Sequence, residues 1–597
     1  MKIQVVHVSQ FINDKAPWIF FGNSYLKMKY WEKKLLGNRI NLQSEIHNQA
    51  EKQKRFFLKW IEDQRIANKD SINWWTTHIA SRNNIVSNFF PYLCQLFAIR
   101  EYLKKNDQSE SILIVCENYF LIKLLSENLS SKYKLQFPIL LKIYWFNDSI
   151  SLLIKGFLNQ LKLIYFFVVN FFYAKLTKPK KIIKPEGDVI LFHHILDNVN
   201  RFESNNIKCI YFTILPSWLR KQGKKVFGLP WLFKNKPTLS YYKNLRKTNS
   251  LIPEDWLGFK DYYNILKNYT KSLGNLRYDI SYPDANLDYL VLHEKIAQLS
   301  ETGVIFLRYI PAIQKWSKEI KSLTVYDQYY NFPFEHPIRY AIKKLPIKTK
   351  SIGFYDSLTS KEFMCHHHLE SEWFSQVKPD HVVCSGKLGE SILLSQGVPR
   401  KRLSSAAALR QLYLLNEVNE KKISKQILIL LSLVPEMCVE ILSKMYSINS
   451  TIIELKLNVK VRIHPMMKAD YILKKINWRN LPPGWEWAKG DLISELNDSY
   501  CCVAMDTSSI FDAILKKNIT ISLMSDLKIM ENYLDIFSNK YPLTSSVPEK
   551  EIPNKLRDIF VSKKKLYVDE FSKIRNELIK GINISNDNNL NSFIIND

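Results

Sequence analysis

The sequence predicts an α/β protein with two parallel-sheet domains facing a cleft, preceded by a helix-rich N-terminal region. Three observations carry that prediction. Strand-like and helix-like segments alternate in two successive blocks, one from Gly303 and one from Gln426, the rhythm of parallel strands joined by crossover helices. Val459 to Ile463 alternates, is β-branched and stops at Arg462-Ile463-His464-Pro465, so polar residues sit where a strand ends. Cys501 to Ala504 is a second short apolar strand, and Asp506-Thr507-Ser508-Ser509 then leads into an amphipathic run through Ile510, Ala513 and Ile514. Ligands of open parallel sheets collect beyond the carboxyl ends of the strands, and hydroxyls with free N–H groups at a helix start suit an anion. A phosphate-bearing ligand is therefore expected at Arg462, His464, Pro465, Thr507, Ser508 and Ser509.

Taken in order, residues 1–110 read as the helix-rich region, opening on the strand-like Met1–Val6 and carrying Trp60, Trp74 and Trp75. Residues 111–412 read as the first sheet domain, with strands at Ser111–Cys116, Asp188–Phe192, Lys208–Thr213, Val304–Leu307, Ser322–Tyr326, Ser351–Phe354 and His381–Cys384, and a polar insertion at 232–285. Ser385-Gly386 opens a helix that Gly397-Val398-Pro399 ends. Residues 413–550 read as the second sheet domain, with the domain link near 411–425. A charged amphipathic helix follows at 551–580, expected to pack back toward the first domain, and 581–597 reads as a flexible tail.

At 597 residues the chain exceeds what one core holds. Hydrophobic content of 46% and charged content of 24% exclude a disordered chain. The formal charge of +28 comes from basic residues spread along the chain without blocks. That suits anionic partners such as nucleotide-linked donors or phospholipid; no nucleic-acid-binding signature appears. The eight cysteines are scattered, several inside apolar runs, and read as buried free thiols of a cytoplasmic protein. Leu163–Ala174 is apolar and followed by Lys175, Lys178, Lys180, Lys181 and Lys184. It reads as a buried core helix, as an interfacial helix touching the anionic inner leaflet, or, third, as a span, for which roughly 20 apolar residues are needed.

His464-Pro465 with Ser508-Ser509 resembles the HP and SS signatures of GT-B glycosyltransferases that use cytidine-nucleotide donors, among them bacterial sialyl and Kdo transferases. Glu335-His336-Pro337, Ser351–Ser357, Asp380–Gly386, and Gly397-Val398-Pro399 with Ala406–Arg410 are similar to a family of surface carbohydrate biosynthesis proteins. The resemblance covers roughly residues 300–525 and implies a GT-B-like fold of two Rossmann-like domains. It implies a transferase moving a sugar from a CMP- or CDP-linked donor to a glycan or lipid-linked acceptor. A polyol-phosphate transferase of the teichoic-acid type, which shares RxHP and D-x-S-S-x-x-x-D, and a catalytically inactive GT-B scaffold are the alternatives. Where such proteins carry Gly-aromatic-Gln-His, this chain has Gly353-Phe354-Tyr355-Asp356.

The chemistry asks for few groups. Arg462 binds phosphate bidentately, His464 donates to it, and Ser508 and Ser509 complete the cradle that absorbs charge as the leaving group departs. No Asp-x-Asp cluster calls for a metal, and no cofactor is expected beyond the nucleotide-sugar substrate. A carboxylate base is needed on the acceptor side, and Asp356 and Glu335 are the candidates beside His464. Glu335 has a competing role as an i+4 partner of Arg339. His366-His367-His368 invites a metal reading, but adjacent histidines do not converge on one ion from a helix.

Overall fold

The computed structural model describes all residues except 1, 11–14, 107–110, 137–140, 181, 183, 197–201, 204, 205, 208, 210, 233–236, 412–423, 530, 531, 584–589, 596 and 597, and except the side chains of 2, 141–145, 202, 203, 206 and 273. Three parallel sheets organise it. The first joins Lys2–His7 (β1), Trp18–Phe21 (β2), Ser111–Cys116 (β3) and Lys134–Gln136 (β4) in the order β2-β3-β1-β4. The region before residue 110 is helical as expected, with Gln43–Ala67 and Phe89–Lys105 burying Phe57, Trp60 and Phe89 in one core. It is also more than helical. β3, assigned from sequence to the following region, pairs with β1 in register from Lys2 opposite Ser111 to His7 opposite Cys116. Local alternation identifies a strand but not a partner that far along the chain.

The second sheet contains Gly187–Leu196 (β5), Lys225–Leu232 (β6), Ile320–Gln328 (β7), Lys348–Tyr355 (β8), His381–Ser385 (β9) and Leu403–Ala406 (β10), in the order β6-β5-β7-β8-β9-β10. One expected strand is not there, and a second is not found among the described residues. Val304–Leu307 lies in a 3-10 helix, Gly303–Arg308, that buries Val304, Phe306 and Leu307. A short apolar run satisfies either geometry once buried on more than one side. At Lys208–Thr213 the described residues turn into the helix Leu215–Lys221. The expected insertion holds the helices Leu239–Leu245 and Phe259–Asn275.

The third sheet contains Gln426–Leu430 (β11), Asn458–Arg462 (β12), Trp485–Trp487 (β13), Cys501–Ala504 (β14) and Ile519–Ser522 (β15), in the order β13-β12-β11-β14-β15. Every pairing is parallel. The chain winds first to one side of β11 and then to the other, so the topological switch point falls between β11 and β14. Most of the expected domain link, residues 412–423, lies outside the described residues.

The C-terminal helix does cross back. Lys564–Gly581 ends against Gly386, whose φ is +75° and where any Cβ would collide with the Gly581 carbonyl oxygen. The expectation of a flexible tail needs correcting at its far end. Leu590 and Phe593 are buried in the second sheet's core, and the Tyr326 hydroxyl donates to the Phe593 carbonyl at 2.6 Å. Two apolar side chains in a polar Asn-rich stretch suffice to dock it.

The apolar run at Leu163–Ala174 belongs to a 36-residue helix, Leu141–Leu176. Leu163, Phe167, Asn170 and Ala174 are buried at helical spacing and pack on the protein. Phe157, Tyr165 and Phe172, on the other side, are 64%, 57% and 52% exposed. It is therefore not a core helix. Phe146–Leu176 is long and apolar enough to cross a membrane by length and composition, and little of its apolar stretch is buried.

Candidate functional site at the junction of two sheets

The two larger sheets present the carboxyl ends of their strands to one cavity of about 340 Å³. From the third sheet come Leu430 and Leu431 at the end of β11, Arg462, Ile463, His464 and Pro465 at the end of β12, and Thr507, Ser508 and Ser509 after β14. All six residues expected to hold an anion thus line a single space, at the switch point where the strand order reverses. From the second sheet come Tyr330 after β7, Ser357 and Thr359 after β8, and Arg410 after β10, with Tyr211 beside them.

The local chemistry of the third-sheet wall follows from its turns. The Met466 N–H donates to His464 Nδ1 at 3.2 Å, which sets the ring plane as the chain leaves the strand. Arg462 anchors one guanidinium nitrogen on the Gly490 carbonyl. Asp506 adopts φ +55°, a left-handed conformation that sharply turns β14 into the helix Ser509–Leu515. Ser508 stands at the N-cap position, yet its hydroxyl makes no cap hydrogen bond. The ordinary structural role for a serine there is thus not exercised.

The opposite wall is built around Asp356. This carboxylate is 1% exposed. It accepts from the Tyr330 hydroxyl at 2.8 Å and from Ser357 Oγ at 3.1 Å, with Arg410 Nη1 4.0 Å away. Burial raises its pKa above the usual aspartate value, and Arg410, Tyr330 and Ser357 oppose that. Asp356 therefore lies behind the cavity wall, one hydroxyl away from its interior. It borders a recess of about 10 Å³ shared with Ser357, Arg410 and Ser508, which is room for about one water. Tyr355, just before it, is buried beside Tyr329 and Trp373 within the same domain, its hydroxyl hydrogen-bonded to Thr359.

Glu335 requires correction as a base candidate. It is fully buried, accepts from the N–H groups of Tyr330, Asn331 and Phe332 at 3.0–3.2 Å, and takes Arg339 Nη2 at 2.8 Å. It does not line the cavity; it fixes the loop that delivers Tyr330. The i+4 partnership with Arg339 is real and excludes acceptor contact. The three consecutive histidines point to separate partners: His366 to the Tyr329 carbonyl, His367 to the Lys361 carbonyl, and His368 to Tyr329, Arg82 and Lys378.

Sequence reasoning missed Tyr330, Tyr211 and the part played by Arg410. No spacing marks the tyrosines. Arg410 was visible only as the close of a block, but its place next to the domain link was a signal. Its guanidinium serves both domains, donating to Ser357 at 3.0 Å and drawing down the pKa of Asp512 on the helix Ser509–Leu515. The eight cysteines are buried free thiols, as expected.

Strand order and cleft together define a GT-B-like α/β protein, two Rossmann-like domains with a shared cavity between their strand ends. No protein-family model matches the chain, and no curated protein matches it. Solved structures of similar arrangement include a UDP-GlcNAc 2-epimerase from Methanocaldococcus jannaschii, at 12% identity and TM-score 0.34, covering 66% of this chain and 100% of that one. Acinetobacter baumannii MurG aligns at 9% identity and TM-score 0.31, covering 66% and 95%. The wall teichoic acid polymerase TagF, soaked with CDPG, aligns at 10% identity and TM-score 0.31, covering 74% and 96%.

Proposed function

We propose that the chain is a transferase that takes a sugar from a cytidine-nucleotide donor and passes it to a lipid-linked acceptor of surface polysaccharide synthesis. The supporting observation is the convergence of Arg462, His464, Ser508 and Ser509 from one sheet with Tyr330, Ser357 and Arg410 from the other around a single cavity. Its volume is that of an ordinary small-molecule site. In this reading the donor phosphate lies against the third-sheet wall, where Arg462 and His464 neutralise charge as the bond between sugar and phosphate breaks. The acceptor hydroxyl attacks the anomeric carbon from the second-sheet side, and its proton passes through the Tyr330 hydroxyl to Asp356. The setting is cytoplasmic. The helix Leu141–Leu176 would rest its exposed apolar face on the inner leaflet, with Lys175, Lys178 and Lys180 facing anionic headgroups.

Titration calorimetry with CMP, CDP and UDP tests the donor side. The chain is expected to prefer cytidine nucleotides, and His464→Ala to lose a charge-assisted contact of about 1.5–3 kcal/mol. Equal and weak binding of all three by both proteins refutes the reading. The burial of Asp356 favours one second reading, a nucleotide-binding scaffold without turnover. Tight cytidine-nucleotide binding with no transfer to any lipid-linked acceptor would select it.

A further inference from the structure

A second cavity, of about 520 Å³, lies between the long helix and the cleft. Its outer end is formed by Phe166 and Asn170 of that helix and by the half-exposed Ile85 and Val86. Its inner end is formed by Phe332, which also lines the 340 Å³ cavity, and by Leu433, three residues past the end of β11. Between them the wall is mostly aromatic and aliphatic, with Trp231, Ile252 and Phe306 lining the space and Ser81, Asn83 and Thr302 among its polar residues.

The few ionisable groups in this wall cancel. Arg308 Nε lies 3.2 Å from Glu254 Oε1, both almost fully buried. Burial pushes the His78 imidazole down to about 4, so it is neutral. A nucleotide finds no net counter-charge here, whereas hydrocarbon gains from every apolar contact that removes its surface from water. The helix that supplies Phe166 and Asn170 to the cavity also carries the exposed Tyr165 and Phe172.

We propose that this cavity binds the hydrocarbon chain of the lipid-linked acceptor, entering beside the long helix and placing the polar end at Phe332 and Tyr330. The assignment to the acceptor rests on the transferase reading above; the chain-binding site itself does not. A helix with an exposed apolar face, an apolar cavity and a donor cavity that shares Phe332 with it solve one problem together. They let the reactive hydroxyl of a lipid reach the cleft without its chain crossing water.

The test uses uncharged alkyl glucosides of six to ten carbons, below their micelle concentrations, titrated into the full chain by calorimetry. Affinity is expected to rise about fourfold per added CH₂, the transfer value for one methylene. A bromine on the chain terminus is expected to quench Trp231, measured as the difference from Trp231→Phe. Filling the cavity with Ile252→Trp, or blocking its rim with the surface substitution Val86→Trp should chain-length dependence and quenching be tested without disturbing the core, is expected to weaken binding at least tenfold. Phe172→Ser on the helix's outer face should leave the quenching unchanged. Affinity independent of chain length, or quenching that survives both cavity variants, overturns the proposal. If cytidine nucleotides bind but alkyl chains do not, the chain-binding site falls and the donor reading stands. If chains bind and no nucleotide does, the acceptor assignment falls instead.

Discussion

Asp512 offers the sharpest test of how the cleft is built. It is 2% exposed on the helix that follows Thr507-Ser508-Ser509, and its Oδ2 has no hydrogen-bond partner among the described residues. Burial pushes its pKa from 3.8 up to about 6, with Arg410 pulling the other way. A shift of about two units corresponds to about 3 kcal/mol at about 1.36 kcal/mol per unit. Because the folded pKa is the higher one, the stabilising effect of the neutral acid is present below pH 3.8 and is lost as pH rises through 6. At pH 8 the native state therefore carries the full cost of a buried carboxylate. Asp512→Asn removes that cost. The variant should be more stable than the parent by about 3 kcal/mol at pH 8 and by well under 1 kcal/mol at pH 4, read from denaturant unfolding at both pH values. Turnover should fall, because Arg410 loses one of the two buried carboxylates whose charge acts on it across the cleft. Greater stability with lower activity marks a residue kept for function at the expense of the fold. A variant destabilised at pH 8, or one whose stability gain does not depend on pH, refutes the reasoning.

Other outcomes follow from the same geometry. Burial raises the Asp356 pKa, so transfer should switch on as pH rises through a value above the ordinary aspartate range; Asp356→Asn should abolish that rising limb in a pH–rate profile. Glu335→Ala strips three backbone N–H groups and Arg339 of their shared acceptor, and should cost about 3–5 kcal/mol of stability. Glu335→Gln should recover part of it in the same thermal melt. Co-sedimentation with anionic vesicles should be strong at low salt and weaken at high salt, since each lysine near the surface contributes about 1 kcal/mol; no binding at low salt, or binding that resists salt, refutes interfacial docking.

Short-range pattern was enough for the ligand-facing strands of the third sheet but not for its edge strand, Trp485–Trp487. Asn458–Arg462 and Cys501–Ala504 are short apolar-patterned runs closed by polar residues, and the ligand-facing positions, Arg462, His464 and Thr507–Ser509, follow directly from where those strands stop. The carboxyl end of a parallel strand is a local property once the strand is recognised. The same logic placed Asp356 at a strand end. It could not tell that Tyr330 and Ser357 would stand between that carboxylate and the cavity, because the wall is assembled from β7, β8 and β10 together.

Tertiary structure decided the rest, for reasons of distance and burial. β1 meets β3 across more than a hundred residues, Val304–Leu307 bends into a 3-10 turn because both of its sides are covered, and Glu335 is consumed by a loop that only the fold creates. The long helix shows the division most clearly. Its composition announced an apolar element with a basic flank. Which face it buries was fixed by the surface that Leu163, Phe167 and Ala174 found to pack against, and that choice left the opposite face bare.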